Sequence, residues 1–193
     1  MKLVLATQNP KKLKEMNEIL SHLGVEVVSE AELGVRIEVE ETGETFTDNA
    51  RLKATAVMQA TGLPAVADDS GLCVDALNGG PGVYSARFGG EGLDDKGRYT
   101  LLLEMLRGQT DRAAHFHTSI VCAFPNGDEL VCEGECPGTI AFAPMGEGGF
   151  GYDPLFLYES GKTFAQMSPE EKNRVSHRFH AVEKMREVLR ELF

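Results

Sequence analysis

Short apolar runs alternate with segments of helical spacing over the N-terminal part of the chain, and that alternation admits few folds. Residues 2–6 read as a short buried strand. Residues 11–23 carry Leu13, Met16, Leu20 and Leu23 at helical spacing, with Gly24 as the stop. Residues 25–29 read as a second strand. Thr47 or Asp48 predicts the cap of a helix reaching about Thr61, with Ala50, Ala54, Val57 and Met58 on one face and Gly62 ending it. Residues 64–67 are then a third short strand that delivers Asp68 and Asp69 to its C-terminal end.

Residues 96–106 predict another helix. Residues 113–124 and 129–136 predict two strands joined by the hairpin signal Pro125-Asn126-Gly127-Asp128, and residues 139–143 a further strand. Ser168 and Glu171 have capping-box spacing, with Pro169 at the first helical position. Ser176 is the expected cap of the last helix, whose apolar stripe is Val182, Met185, Leu189 and Leu192. Strand–helix units followed by a hairpin give an α/β class with a mixed sheet. The expected architecture is an elongated mixed β-sheet flanked by helices, in two lobes with a central cleft. All 193 residues fit one domain.

The net charge of −11 repels long polyanions, so nucleic acid is not an expected partner. A small phosphorylated ligand remains open if local lysines, arginines or a metal offset that field. No apolar run approaches the ~18–20 residues of a membrane span. The start MKLVLATQNP has one lysine and too short an apolar run for a signal peptide. A cytoplasmic protein with no membrane partner is therefore expected. The four cysteines, Cys73, Cys122, Cys132 and Cys136, form no CxxC pair, and no zinc-site spacing accompanies them. Buried free thiols in a reducing compartment are the expectation.

The segment Thr7-Gln8-Asn9-Pro10-Lys11-Lys12 joins the first strand to the first helix, where open α/β sheets bind ligands. A helix N-terminus there suits phosphate; Thr7 and Asn9 add neutral donors and Lys11 or Lys12 full charge. The alternative is a plain capped helix start. Glu38, Glu40, Glu41 and Glu44 form either a solvated acidic face or the source of one oxygen ligand for Mg²⁺ beside the Asp pair. Adjacent carboxylates at Asp68 and Asp69 repel, and a cation or a shared proton relieves the repulsion. A metal there could draw a phosphate oxygen and a water into line, and the other Asp could orient or deprotonate that water. Arg87, after the open loop Gly79-Gly80-Pro81-Gly82, could meet phosphate or pair with a carboxylate.

In Gly148-Gly149-Phe150-Gly151-Tyr152-Asp153-Pro154 the glycines uncover Phe150, whose ring could stack on a flat base for roughly 1–3 kcal/mol. Asp153 could accept from ring N–H groups. Ser176, His177 and Arg178, after Lys172, could donate to base carbonyl oxygens. A Ser/His nucleophile pair is the rival reading, and it is disfavoured because adjacent residues on one helix do not face each other. His115 and His117 share one strand face, expected to be packed, since two histidines fall short of the ligands zinc needs.

The segments LATQNPKKLKE, EETGETFTDNA, ADDSGLCVDALNGGPGVYSARF, GGFGYDPLF and EEKNRVSHR together resemble the inosine/xanthosine triphosphate pyrophosphatase family, also called Ham1-like, from Lys2 to the final helix. The resemblance implies a single nucleotide pyrophosphatase domain over residues 1–193, in two lobes with the ligand in the cleft. It implies a cytoplasmic homodimer that uses Mg²⁺ to hydrolyse dITP, ITP and XTP to the monophosphate and pyrophosphate, cleansing the nucleotide pool. By motif, Thr7, Asn9 and Lys12 grip the triphosphate within the stretch that also holds Gln8, Pro10 and Lys11, and Lys53 assists. Asp69 is the catalytic base and a metal-linked acid with Asp68 beside it, and Glu41 or Glu40 is a further metal ligand. Ser70 contacts substrate. Phe150, Gly151, Tyr152 and Asp153 bind the base, and Lys172, His177 and Arg178 read it. The Asn9-Pro10-Lys11-Lys12 start and the Ser176-His177-Arg178 segment favour this family over Maf-like nucleotide pyrophosphatases. The intact Asp68/Asp69 pair argues against a non-catalytic nucleotide sensor.

Overall fold

The computed structural model describes residues 2–21 and 24–192, with side chains up to 188. Leu23 and the side chains of Leu189 and Leu192 lie outside the described residues. Among the described residues, six strands, β1 (Lys2–Leu5), β2 (Glu26–Ser29), β3 (Ala65–Val74), β4 (Ala113–Ala123), β5 (Glu129–Ile140) and β6 (Phe156–Leu157), form one sheet in the order β2-β1-β3-β4-β5-β6. β1 runs parallel to β2 and β3, and β5 antiparallel to β6, so the sheet is mixed as expected. The helices are α1 (Pro10–Leu20), α2 (Phe46–Thr61), α3 (Asp95–Met105), α4 (Pro169–Lys172) and α5 (His177–Leu192). No helix among the described residues is long and apolar enough to cross a membrane.

Four boundaries differ from the sequence reading; the first is the end of α1, which stops at Leu20 with Ser21 as its C-cap, ahead of the expected Gly24. The cap of α2 is Thr45, whose side chain accepts from the Asp48 N–H, so Thr47 and Asp48 lie inside the first turn. β3 does not stop before the acids: it runs through Asp68 and Asp69 because Leu72 and Val74 beyond them are also buried. The strands expected at 129–136 and 139–143 are one strand, β5, whose end pairs with β6. The hairpin turn is as expected: Gly127 N–H bonds the Phe124 carbonyl and Phe124 N–H the Asp128 carbonyl. Gly62 stops α2 with φ 69°, a left-handed conformation that glycine adopts without a Cβ penalty.

The chain forms two compact units. Unit 1 comprises Met1–Asp69, Thr118–Gly134 and His177–Phe193; unit 2 comprises Ser70–His117 and Glu135–Ser176. In unit 1 both sheet faces are covered. Leu3, Leu5, Val66, Ile120 and Cys122 pack with Met16 and Leu20 of α1 and Val182 and Met185 of α5. Val4, Ala65, Ala67, Val121 and Ala123 pack with Ala50, Ala54 and Val57 of α2. Odd and even residues of each strand thus serve different layers, which follows from the two-residue period of extended backbone. Unit 2 has its own core of Leu72, Val74, Leu102, Phe116, Ile140, Phe156 and Phe164, with the Phe116 and Phe164 rings stacked at 5.6 Å.

Candidate active site

The period of β3 decides how two adjacent acids coexist. Asp68 follows Val66 towards α1 and α5, and Asp69 follows Ala67 towards α2. Each therefore meets its own cations. Asp68 Oδ2 accepts from Arg178 Nε at 3.0 Å and lies 3.3 Å from Lys12 Nζ. Arg178 Nη1 also donates to Glu15 Oε1 at 3.2 Å. Asp69 Oδ1 lies 3.4 Å from Lys53 Nζ, and Asn49 Nδ2 is 3.4 Å from its Oδ2. Lys53 Nζ further donates to Glu41 Oε1 and to the Asp68 carbonyl, each at 2.8 Å. Asp68 Oδ1 is buried and makes no hydrogen bond among the described residues.

These contacts set the protonation states. Burial would raise the Asp68 carboxyl, but Lys12, Arg178 and Lys53 drive it far below its ordinary value. Burial raises Asp69, and the charges of Glu41 and Asp68 add to the rise against the pull of Lys53 and Lys12. Burial lowers Lys12, and its cationic neighbours Lys53 and Arg178 add to that. Burial opposes the charge of Lys53, yet Asp69, Asp68 and Glu41 outweigh it and raise the ammonium. One strand therefore presents a firmly ionised acid and, next to it, a more basic carboxylate.

The helix start supplies the third component of unit 1. Asn9 caps α1: its Oδ1 accepts from Lys11 N at 3.0 Å and Lys12 N at 3.3 Å, and Pro10 opens the helix. Thr7 Oγ1 accepts from Asn9 N, and Gln8 Nε2 donates to the Ile37 carbonyl. Lys12 turns inward to Asp68, while Lys11 is exposed. Glu41 reaches Lys53, and Glu40 is exposed. His177 and Arg178 open α5 and are buried.

The aromatic segment belongs to unit 2. Lys172 Nζ donates to Asp153 Oδ2 at 2.8 Å and stands 4.7 Å over the Phe150 ring. Asp153 Oδ2 also accepts from Phe150 N at 3.0 Å, and Gly151 N bonds Asp95 Oδ2. Tyr152 is a core residue whose hydroxyl donates to the Ser85 carbonyl. Ser70 is half-buried in β3. The Arg87 guanidinium lies 5.0 Å over the Tyr84 ring.

A family model described as the Ham1 family matches residues 3–188. The chain belongs to the Ham1 family. It is 52% identical over 196 aligned residues to a dITP/XTP pyrophosphatase of Desulforamulus reducens, covering 100% of this chain and 98% of the relative. The structure of the Staphylococcus aureus Ham1 protein matches with a TM-score of 0.89 and 40% identity over 100% of both chains. A Ham1 protein from Coxiella burnetii matches with a TM-score of 0.89 and 44% identity over 99% of each.

In this Ham1 chain, sequence reading missed three groups that hold the acids. Glu15 shares the Arg178 guanidinium, Asn49 faces Asp69, and Thr118 Oγ1 donates to the Asp69 carbonyl. Two of them left a signal. Asn49 precedes Lys53 by one helical turn, and Glu15 follows Lys12 by three residues, so each shares a face with a predicted site lysine. Thr118 left none, because strand pairing brings it to Asp69 from 49 positions away. The thiols are free, as expected, and burial pushes Cys122 and Cys136 up to about 12.

Proposed function

We propose that this Ham1-family chain hydrolyses deaminated purine nucleoside triphosphates (dITP, ITP and XTP) to the monophosphate and pyrophosphate. The observation that carries this reading is the buried group at Asp68 and Asp69, where two lysines and an arginine stand beside an acid that burial keeps basic. The Desulforamulus relative, a dITP/XTP pyrophosphatase, supports the substrate class. Residues 1–193 act as one nucleotide pyrophosphatase domain, cytoplasmic and homodimeric, as the family resemblance implies.

Water attacks the α-phosphorus. Its oxygen forms the new P–O bond, the bond from the α-phosphorus to the bridging oxygen breaks, pyrophosphate leaves, and Asp69 takes the water proton. A raised carboxylate is the better acceptor for that proton. Lys53 and Asn49 fix its orientation. Thr7, Asn9, Lys12 and Lys53 receive the triphosphate on a turn shaped by Gln8, Pro10 and Lys11, and Ser70 adds a substrate contact. Asp68 holds Lys12 in place.

The donor set fits Mg²⁺: Asp69 and Glu41 already share one cation, the Lys53 ammonium, and hard carboxylate oxygens suit this ion. When bound by these two acids, the ion supplies charge neutralisation for the phosphate oxygens. Asp68 turns to Lys12 and Arg178 and Glu40 to solvent, so neither belongs to the proposed set.

Phe150 stacks on the purine, with Gly151 and Tyr152 shaping the segment around it. Asp153 accepts from N1–H and Lys172 supplies a donor for O6, while the Arg178 guanidinium of unit 1 is held by Asp68 and Glu15. Adenine carries an amino group at that position and leaves that donor unpaired, which rejects it strongly.

The test is Mg²⁺-dependent pyrophosphate release from dITP, XTP, dGTP and dATP. Release from dITP and XTP well above dGTP and dATP supports the reading. Equal release from all four, preference for an ordinary nucleotide, or binding without release overturns it in favour of a Maf-like enzyme or a nucleotide sensor.

A further inference from the structure

In unit 2 the even-numbered residues Leu72, Val74, Ala114, Phe116, Cys136 and Ile140 of β3, β4 and β5 face the apolar core. Successive strand residues point to opposite faces. His115, His117 and Glu135 therefore occupy the face away from that core. Both histidines are half-buried, and Glu135 is exposed. His117 Nδ1 lies 3.0 Å from Glu135 Oε1, and His115 Nε2 lies 3.9 Å from the same oxygen. One atom from each of the three side chains falls within 4.8 Å of the other two.

We propose that His115, His117 and Glu135 form a binding site for a borderline divalent transition-metal ion of the Zn²⁺, Ni²⁺ and Co²⁺ class. A tetrahedral ion with bonds of ~2.0–2.1 Å holds its ligand atoms roughly 3.3–3.4 Å apart. The two distances to Glu135 Oε1 straddle that spacing, and all three ligand atoms already lie within 4.8 Å of one another. A simple hydrogen-bonded pair would account for His117 and Glu135 alone. The second imidazole, two residues along the same strand and aimed at the same oxygen, is what makes a chelate. Imidazole nitrogens favour these ions over Mg²⁺, which separates this site from the carboxylates of unit 1. Three protein ligands leave the fourth position to water, and the negative net charge of the chain attracts cations to its surface.

Titration of Zn²⁺ into the metal-free full-length chain tests the site, with Ni²⁺-induced broadening of histidine ring signals as a second readout. One Zn²⁺ per chain is expected, with His115 and His117 signals broadened first. His115→Ala and His117→Ala each weaken binding by about tenfold or more. Glu135→Gln weakens it, and Asp69→Asn leaves it unchanged. Circular dichroism verifies that each variant is folded. Binding that survives both histidine substitutions, binding lost in Asp69→Asn, or no saturable binding at millimolar Zn²⁺ overturns the proposal.

Discussion

Arg178 Nε donates to Asp68 Oδ2 at 3.0 Å, joining residues 110 positions apart, with the two side chains 2% and 1% exposed. The same guanidinium holds Glu15, so α1, β3 and α5 meet on one charge. Removing one partner of a buried ion pair leaves an uncompensated charge and typically costs about 3–5 kcal/mol. Arg178→Ala is therefore expected to lose stability on that scale. Arg178→Lys should lose less, because it keeps a charge but not the fork that serves two carboxylates. Urea unfolding of both variants checks this; an alanine variant as stable as wild type would contradict it.

Asp68 gives the fold an acid-sensitive component. Its carboxyl lies far below the ordinary range in the folded chain and returns to about 3.9 in the unfolded one. The unfolded state thus binds the proton first. The stabilisation is complete above about pH 4 and fades as pH falls towards the lower folded value. Asp68→Asn removes this dependence, so the stability gap between wild type and variant should be widest at neutral pH and shrink on acidification. Urea midpoints measured across that range report it.

Asp69 has the opposite sign. Burial holds its proton to higher pH in the folded chain, so ionisation costs stability as pH climbs from about 3.9 through the raised value. Asp69→Asn should gain on wild type over that window, while turnover of dITP falls by about 10²–10⁴-fold, the usual contribution of a general base. Paired measurements of unfolding midpoint and pyrophosphate release check both. Near-normal turnover in a folded Asp69→Asn sample would remove the assigned role.

Gly134 lets α5 approach β5. A Cβ there would stand 2.1 Å from the His177 carbonyl oxygen and 2.6 Å from the Ala181 nitrogen. Both are backbone atoms that cannot swing aside. Gly134→Ala is expected to cost about 1–3 kcal/mol as overpacking and to displace the helix start that carries Arg178. A lowered Tm with an accompanying loss of dITP turnover is the expected result.

Much of the fold was legible because its signals are local. Gly62 ends α2, the Pro125–Asp128 turn makes the hairpin, and Ser168 with Glu171 caps α4, each through contacts within a few residues. The extent of β3 was not, because acids inside a buried strand look wrong until their cations are placed. Those cations come from Lys12, Lys53 and Arg178, which are distant in sequence. Lys12, rather than Lys11, is the inward lysine, and Glu41, rather than Glu40, the inward glutamate. The metal-type cluster escaped notice because Glu135 joins the histidines only across the strands, and no local spacing connects position 135 to 115 and 117.

The alternation along β3 also works as a key cut on both edges. Sliding the strand by one position would exchange its two faces, taking Asp68 from Lys12 and Arg178 and Asp69 from Lys53. Misthreading would thus be penalised by misplaced charge as well as by buried alanines exchanged between layers. The proposed base Asp69 and its neighbour Asp68 are themselves the marks by which the chain finds its alignment, so an insertion of a single residue between Gly62 and Asp68 would disable folding and chemistry together.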